Sequence, residues 1–135
     1  MSLFVDTSVW SLALRRDAPP QGSEVRRLRE ALGGGETVYT TGLVLQELLQ
    51  GCRGPRAEAL IIDRFEAIAM IVPRVGDHIA AARLRNHCRR QGIQIGTIVA
   101  LLAHLCIGHK LVMMSTDRDF SHIADRTPLR LWRAA

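Results

Sequence analysis

The sequence predicts an α/β fold built on a mainly parallel central sheet. Three observations predict it. Short apolar runs alternate with helical stretches, the helical stretches carry apolar residues on one face, and no internal repeat, low-complexity tract or linker breaks the alternation. At 135 residues the chain has the length of one domain, spanning 1–135. Its 47% hydrophobic content is enough for a core that buries roughly two-thirds of the unfolded surface.

The elements follow in order. Leu3-Phe4-Val5 reads as a buried strand, and Asp6-Thr7-Ser8 stops it and starts a helix, which puts Asp6 at the carboxyl end of the strand. Residues 23–32 have Val25, Leu28 and Leu32 in helical phase, with Arg26, Arg27 and Arg29 between them, until Gly33-Gly34-Gly35 ends the helix. A strand over 37–41 follows, then a helix over 43–50 that contains Glu47, closed by the punctuation at 51–55. Pro55 suits the first turn of a helix running to about residue 67, and a third strand over 68–72 ends at Pro73. The pattern over 77–90 is helical, with Ile79, Ala80, Leu84 and Cys88 against Arg83, Arg85, Arg89 and Arg90. Thr97 is expected to cap a helix carrying Ile98, Leu101, Leu102 and Leu105, which Gly108 ends. The strand 111–115 leads directly to Asp117 and Asp119, and a last strand lies around 129–132.

Composition narrows the class. Cys52, Cys88 and Cys106 are widely spaced, odd in number and form no Cys-x-x-Cys pair, which argues against a disulfide framework and a four-thiolate zinc site. No basic leader precedes a long apolar stretch and no segment reaches eighteen uninterrupted apolar residues, so a cytoplasmic setting without a membrane span is expected. Eighteen basic residues, all arginine except Lys110, against thirteen acidic ones give a net +5. Such a field favours polyanionic partners, and the planar guanidinium fork matches phosphate oxygens.

Against that charge, the placement of the carboxylates is informative. In parallel sheets ligands bind beyond the carboxyl ends of the strands, and Asp6 and Asp117 are both expected there, about a hundred residues apart. With Glu47 they would form one acidic hole in a basic protein, costly to bury unless solvated, paired or metal-bound. Oxygen-only clusters suit Mg2+ or Mn2+, and the chemistry they imply is phosphodiester cleavage, in which the metal activates a water and offsets charge on the phosphate. The plainer alternative is that Asp6 and Asp117 only cap helices or turns.

Taken together, the motifs resemble a known family. Leu3-Phe4-Val5-Asp6-Thr7-Ser8-Val9-Trp10, Glu47 in the helix after the second strand, Gly96-Thr97-Ile98 opening a late helix, and Ser115-Thr116-Asp117-Arg118-Asp119-Phe120 resemble the PIN domain in its VapC toxin form. The resemblance covers essentially the whole chain. It implies a PIN-like three-layer α/β/α fold and an Mg2+-dependent endoribonuclease toxin that cuts transfer, ribosomal or messenger RNA. It also implies a homodimer held inactive by a VapB-type antitoxin. By position, Asp6 would be a metal ligand, Glu47 a ligand or a base that orients the attacking water, and Asp117 and Asp119 the late acidic group.

One position departs from that pattern. The family usually has an Asp two residues after the Thr, and Gly96-Thr97-Ile98-Val99-Ala100 has Val99 there. No Asp or Glu lies between Asp77 and Asp117 to replace it, and Thr97 sits about 200° around the helix from Val99. Two outcomes follow: an enzyme inactivated at position 99, or a catalytically silent module that binds RNA or antitoxin.

Other signals are weaker. Asp117-Arg118-Asp119 also echoes an aspartyl-phosphate phosphatase motif, but Ser121 breaks the continuation. His104, Cys106 and His109 fall about 200° and 300° apart in successive steps and share no helix face for zinc. Trp10 reads as a core residue near the acidic end of the sheet, with base stacking as the alternative. Arg83, Arg85, Arg89 and Arg90 would form a solvated face, an RNA-phosphate track or a contact for an acidic partner segment.

Overall fold

The computed structural model describes residues 2–15 and 22–134. In chain order the elements are β1 (Leu3–Val5), α1 (Thr7–Ala13), α2 (Ser23–Gly33), β2 (Val38–Thr41), α3 (Gly42–Gly51) and α4 (Pro55–Phe65). They continue with β3 (Ala69–Ile71), α5 (Val75–Arg90), α6 (Thr97–His109), β4 (Val112–Met114), α7 (Arg118–Ala124) and β5 (Arg130–Leu131). The sheet has the order β3-β2-β1-β4-β5 with every pairing parallel. Helices α1 to α4 pack on one another, and α6 packs on both α5 and α7. This is the three-layer arrangement the alternation of elements predicts.

Strand position follows from composition. Leu3-Phe4-Val5 and Val112-Met113-Met114 are buried throughout, as central parallel strands covered on both faces must be. The edge strand β3 instead leaves Met70 43% exposed. The chain builds outward from β1 through β2 to β3, then returns to lay β4 on the other side of β1. The strand order therefore reverses between β1 and β4, where a parallel sheet opens a crevice at its carboxyl ends. Register locks the two ends together: Val5 pairs with Met114, and the Asp6 amide continues the ladder to the Met114 carbonyl at 3.2 Å.

Four expectations are corrected. Helix α7 lies between Asp117 and the last strand, where the sequence reading passes straight to β5; its seven residues are too few for a periodic signal, although Phe120 and Ile123 are buried one turn apart. Gly96, not Thr97, caps α6, with Thr97 the first helical residue. Gly108 lies inside α6, which ends one residue later on Lys110 in the left-handed region at φ 55°. Helix α5 also starts earlier, at Val75, because the Asp77 carboxylate reaches back to accept from the Arg74 amide at 2.8 Å.

The remaining sequence signals resolve simply. Trp10 is core, 3% exposed, its ring 4.8 Å from that of Phe65. All three cysteines are free thiols, and burial pushes the Cys106 thiol far above its ordinary range. His104 contacts no metal-binding partner set but meets the Asp77 carboxylate at 2.9 Å, tying α6 to the start of α5. No described helix is long and apolar enough to cross a membrane.

Candidate active site

Asp6 follows β1 and caps α1, accepting from the Ser8 amide at 3.1 Å. It is 6% exposed, the one charged side chain in the buried class among the described residues. Two hydroxyls hold it: Ser8 Oγ donates to Oδ1 at 2.5 Å and Ser115 Oγ donates to Oδ2 at 2.6 Å. Each hydroxyl also accepts an amide from the β4–α7 connection, Ser8 from Thr116 at 3.0 Å and Ser115 from Asp117 at 2.9 Å. A hydroxyl has one proton, so both protons go to Asp6 and the direction of all four bonds is fixed. Burial pushes the Asp6 carboxyl above its ordinary value; the Ser115, Ser8 and Val9 donors pull the other way without cancelling it.

Glu47 projects from the middle of α3, where Thr7 Oγ1 donates to its Oε1 at 3.0 Å and joins the first turn of α1 to α3. Asp117 caps α7, accepting from the Asp119 amide at 2.9 Å. Asp6, Glu47 and Asp117 line one cavity of about 240 Å³, closed on the α6 side by Ile98, Val99 and Leu102. No Arg, Lys or His lines it. Asp6 and Asp117 therefore both cap helices, as the plainer alternative held, and both face the cavity. Capping fixes the backbone of each carboxylate without consuming all of its acceptor sites.

Of the remaining expected site residues, Val99 alone lines the cavity. Asp119 sits in the first turn of α7 and supports Asp117 through its amide without lining the cavity. Val99 does line it, so the departure from the family pattern presents a hydrocarbon wall to three carboxylates. Thr97 lines a neighbouring apolar cavity of about 480 Å³ with Leu43, Ala81 and Arg85. Arg83, Arg85, Arg89 and Arg90 are exposed on α5; Arg85 and Arg89 border a cleft with Ile93 to Ile95, and Arg85 Nε donates to the Ile95 carbonyl at 2.9 Å.

The residues fit a hard cation in chemistry. Among the described residues no three carboxylate, imidazole or thiol groups are close enough to enclose an ion together. Mg2+, however, keeps several waters and takes one or two carboxylates, a demand that oxygen-only Asp6, Glu47 and Asp117 around a cavity meet. A buried carboxylate with only neutral donors is also the state that a cation would relieve.

Thr7, Ser8 and Ser115 are the site residues that sequence reasoning missed. Asp-x-Ser after a strand is a capping pattern and could have flagged Ser8. The Ser115 bond crosses 109 residues and has no local signal. Ser115→Ala removes one donor from Asp6 and one acceptor from the Asp117 amide, and is expected to cost about 1 to 3 kcal/mol. Urea unfolding checks it, and an unchanged midpoint would show that the bond contributes nothing.

The PIN domain family model matches residues 3–126. Three solved structures are similar in fold. VapBC2 from Rickettsia felis, bound to a DNA fragment from its promoter, aligns with a TM-score of 0.76 and 18% identity over 98% of each chain. VapBC-1 from nontypeable Haemophilus influenzae aligns with 0.75 and 15% over 98% of this chain and 97% of that one. VapC20 from Mycobacterium tuberculosis, described as a toxin that cleaves the sarcin-ricin loop, aligns with 0.65 and 17% over 88% and 92%. No curated protein sequence matches significantly.

Proposed function

Because the chain belongs to the PIN domain family, we propose that it is an Mg2+- or Mn2+-dependent endoribonuclease of the VapC toxin type. It acts in the cytoplasm on a structured RNA, as a homodimer silenced by a VapB-type antitoxin. One observation carries the reading: three carboxylates from three separate elements face one cavity without a basic side chain, at the switch point of the sheet, in a protein of net charge +5. The descriptions of solved neighbours, a member of the VapBC family of toxin–antitoxin systems and a toxin that cleaves the sarcin-ricin loop, agree with it.

The residues divide the work. When bound, the cation supplies Lewis-acid stabilisation of the phosphate charge and acidifies a water. Asp6, immobilised by Ser8 and Ser115, is its anchor, and Asp117 is the second acidic wall. Glu47, oriented by Thr7, receives the proton of the attacking water. The exposed α5 arginines attract the RNA backbone. Val99 supports a second reading, a PIN fold that binds RNA or antitoxin without cutting, since a hydrocarbon replaces an oxygen ligand at the cavity wall.

Mn2+-dependent cleavage of total RNA by this chain and by Val99→Asp separates the two readings. Cleavage by this chain supports the nuclease, cleavage by Val99→Asp alone supports inactivation at position 99, and absence in both favours the silent module. RNA affinity is expected to fall steeply between low and physiological salt, with a shallower slope after Arg83, Arg85, Arg89 and Arg90 are changed to Gln. Filter binding over a salt series checks this, and a flat profile would remove the arginines from the RNA interface.

A further inference from the structure

A second cavity, also of about 240 Å³, lies on the far side of Asp117 and shares Asp117 and Phe120 with the carboxylate cavity. Its other walls differ in kind. Trp132 and Arg133 enter from the segment after β5, Ser121 from α7 and Glu24 from the first turn of α2. The Trp132 amide donates to the Met113 carbonyl at 2.9 Å, so the sheet ladder holds the indole in place beside the site. The indole is half-buried and Arg133 is exposed.

We infer that this cavity is a nucleobase subsite, taking the base next to the phosphodiester held at Asp6, Glu47 and Asp117, with Trp132 as its stacking surface. The inference rests on the ribonuclease reading. A phosphodiester at the carboxylates needs adjoining space for its flanking nucleotide, and two other cavities also touch the carboxylate cavity. One, reached through Ile98, is mostly apolar and has the His78 imidazole as its one ring; the other, reached through Glu47, is lined by residues such as Leu14, Leu48 and Ile61 and has no aromatic wall. Only beside Asp117 do these three cavities offer an indole. With Asp117 turned to the cation, Glu24 opposes a second phosphate but suits a neutral base: its carboxylate accepts from base amino or imino groups, while Arg133 and Ser121 donate to base carbonyl and ring nitrogen atoms.

The test uses the full chain and fluorescein-labelled RNA hexamers of a single base, with an abasic hexamer as the probe that lacks stacking. Binding is read by anisotropy and, separately, by indole emission, to which buried Trp10 contributes a constant background. Base-containing hexamers are expected to quench the wild-type emission. Trp132→Ala should weaken their binding about 5 to 150-fold, the range one base–aromatic stack contributes. Trp132→Phe should retain most of the affinity and lose the quenching, and the abasic hexamer should bind wild type and Trp132→Ala alike. Should Trp132→Ala not fold, Trp132→Phe and Arg133→Gln decide: unchanged affinity in both together with no quenching in wild type overturns the subsite and leaves the nuclease reading standing. Failure of every hexamer to bind wild type overturns both.

Discussion

Val99→Asp is expected to raise Mn2+ affinity by at least about 10 to 100-fold, roughly 1.4 to 2.7 kcal/mol, and to raise RNA cleavage with it. Position 99 lies on the wall of the cavity that Asp6, Glu47 and Asp117 share, so a carboxylate there joins them without rearrangement of α6. The same substitution should lower the melting temperature of the metal-free protein, because a fourth like charge enters a space already holding three and lined by no cation. Opposite shifts with and without Mn2+ are the signature. Calorimetry for affinity, thermal melting for stability and a cleavage assay read the three quantities. If affinity and cleavage both stay at the level of the Val99 protein, the missing ligand is not at position 99.

Asp6→Asn is expected to separate stability from function in the other direction. The folded carboxyl is held above its ordinary value, first by burial. A raised value means that folding favours the protonated form. The contribution of Asp6 to stability is therefore fully present below the unfolded value of 3.8 and is lost as pH rises through the folded value. At neutral pH the charged group opposes folding. Asparagine keeps the shape and an acceptor for Ser8 and carries no charge, but its amide nitrogen meets the Ser115 hydroxyl as a second donor, so metal-free Asp6→Asn should be more stable relative to wild type at pH 7 than in acid. Wild type in Mn2+ at a hundred times its dissociation constant should gain about 2.7 kcal/mol, and Asp6→Asn should gain nothing. Melting curves with and without Mn2+ at two pH values measure both effects, and an equal gain in the two proteins would remove Asp6 from the cation site.

The parts of the site that the sequence reveals are those set by local rules. Asp6 and Asp117 are legible because a short apolar run that stops at an acidic residue marks a strand end, and in an α/β fold strand ends are where ligands sit. Glu47 is legible only through its place in the pattern of motifs, since nothing in its own helix distinguishes it from a solvated glutamate. Ser115, the sharing of one cavity, and the exclusion of Asp119 from it depend on strand order, which no local signal encodes. The miss at α7 has another cause: seven residues between a turn and a strand give too little periodicity to outweigh the run of turn-forming residues around Asp117. Lys110 in the left-handed region, where Gly108 was expected to stop the helix, shows the same limit at a helix end.

The two serine stitches carry a consequence for the newly made protein. Asp6 emerges early in synthesis, but the donor to its second oxygen is 109 residues further on, and the strand that flanks it, β4, is made just before that donor. Until that strand docks, Asp6 stays hydrated and the three carboxylates have no common wall. A nascent or truncated chain that stops before Ser115 thus cannot assemble the acidic hole, however well its first helices form. Completion of β4 is therefore the step of synthesis after which the acidic hole can first form.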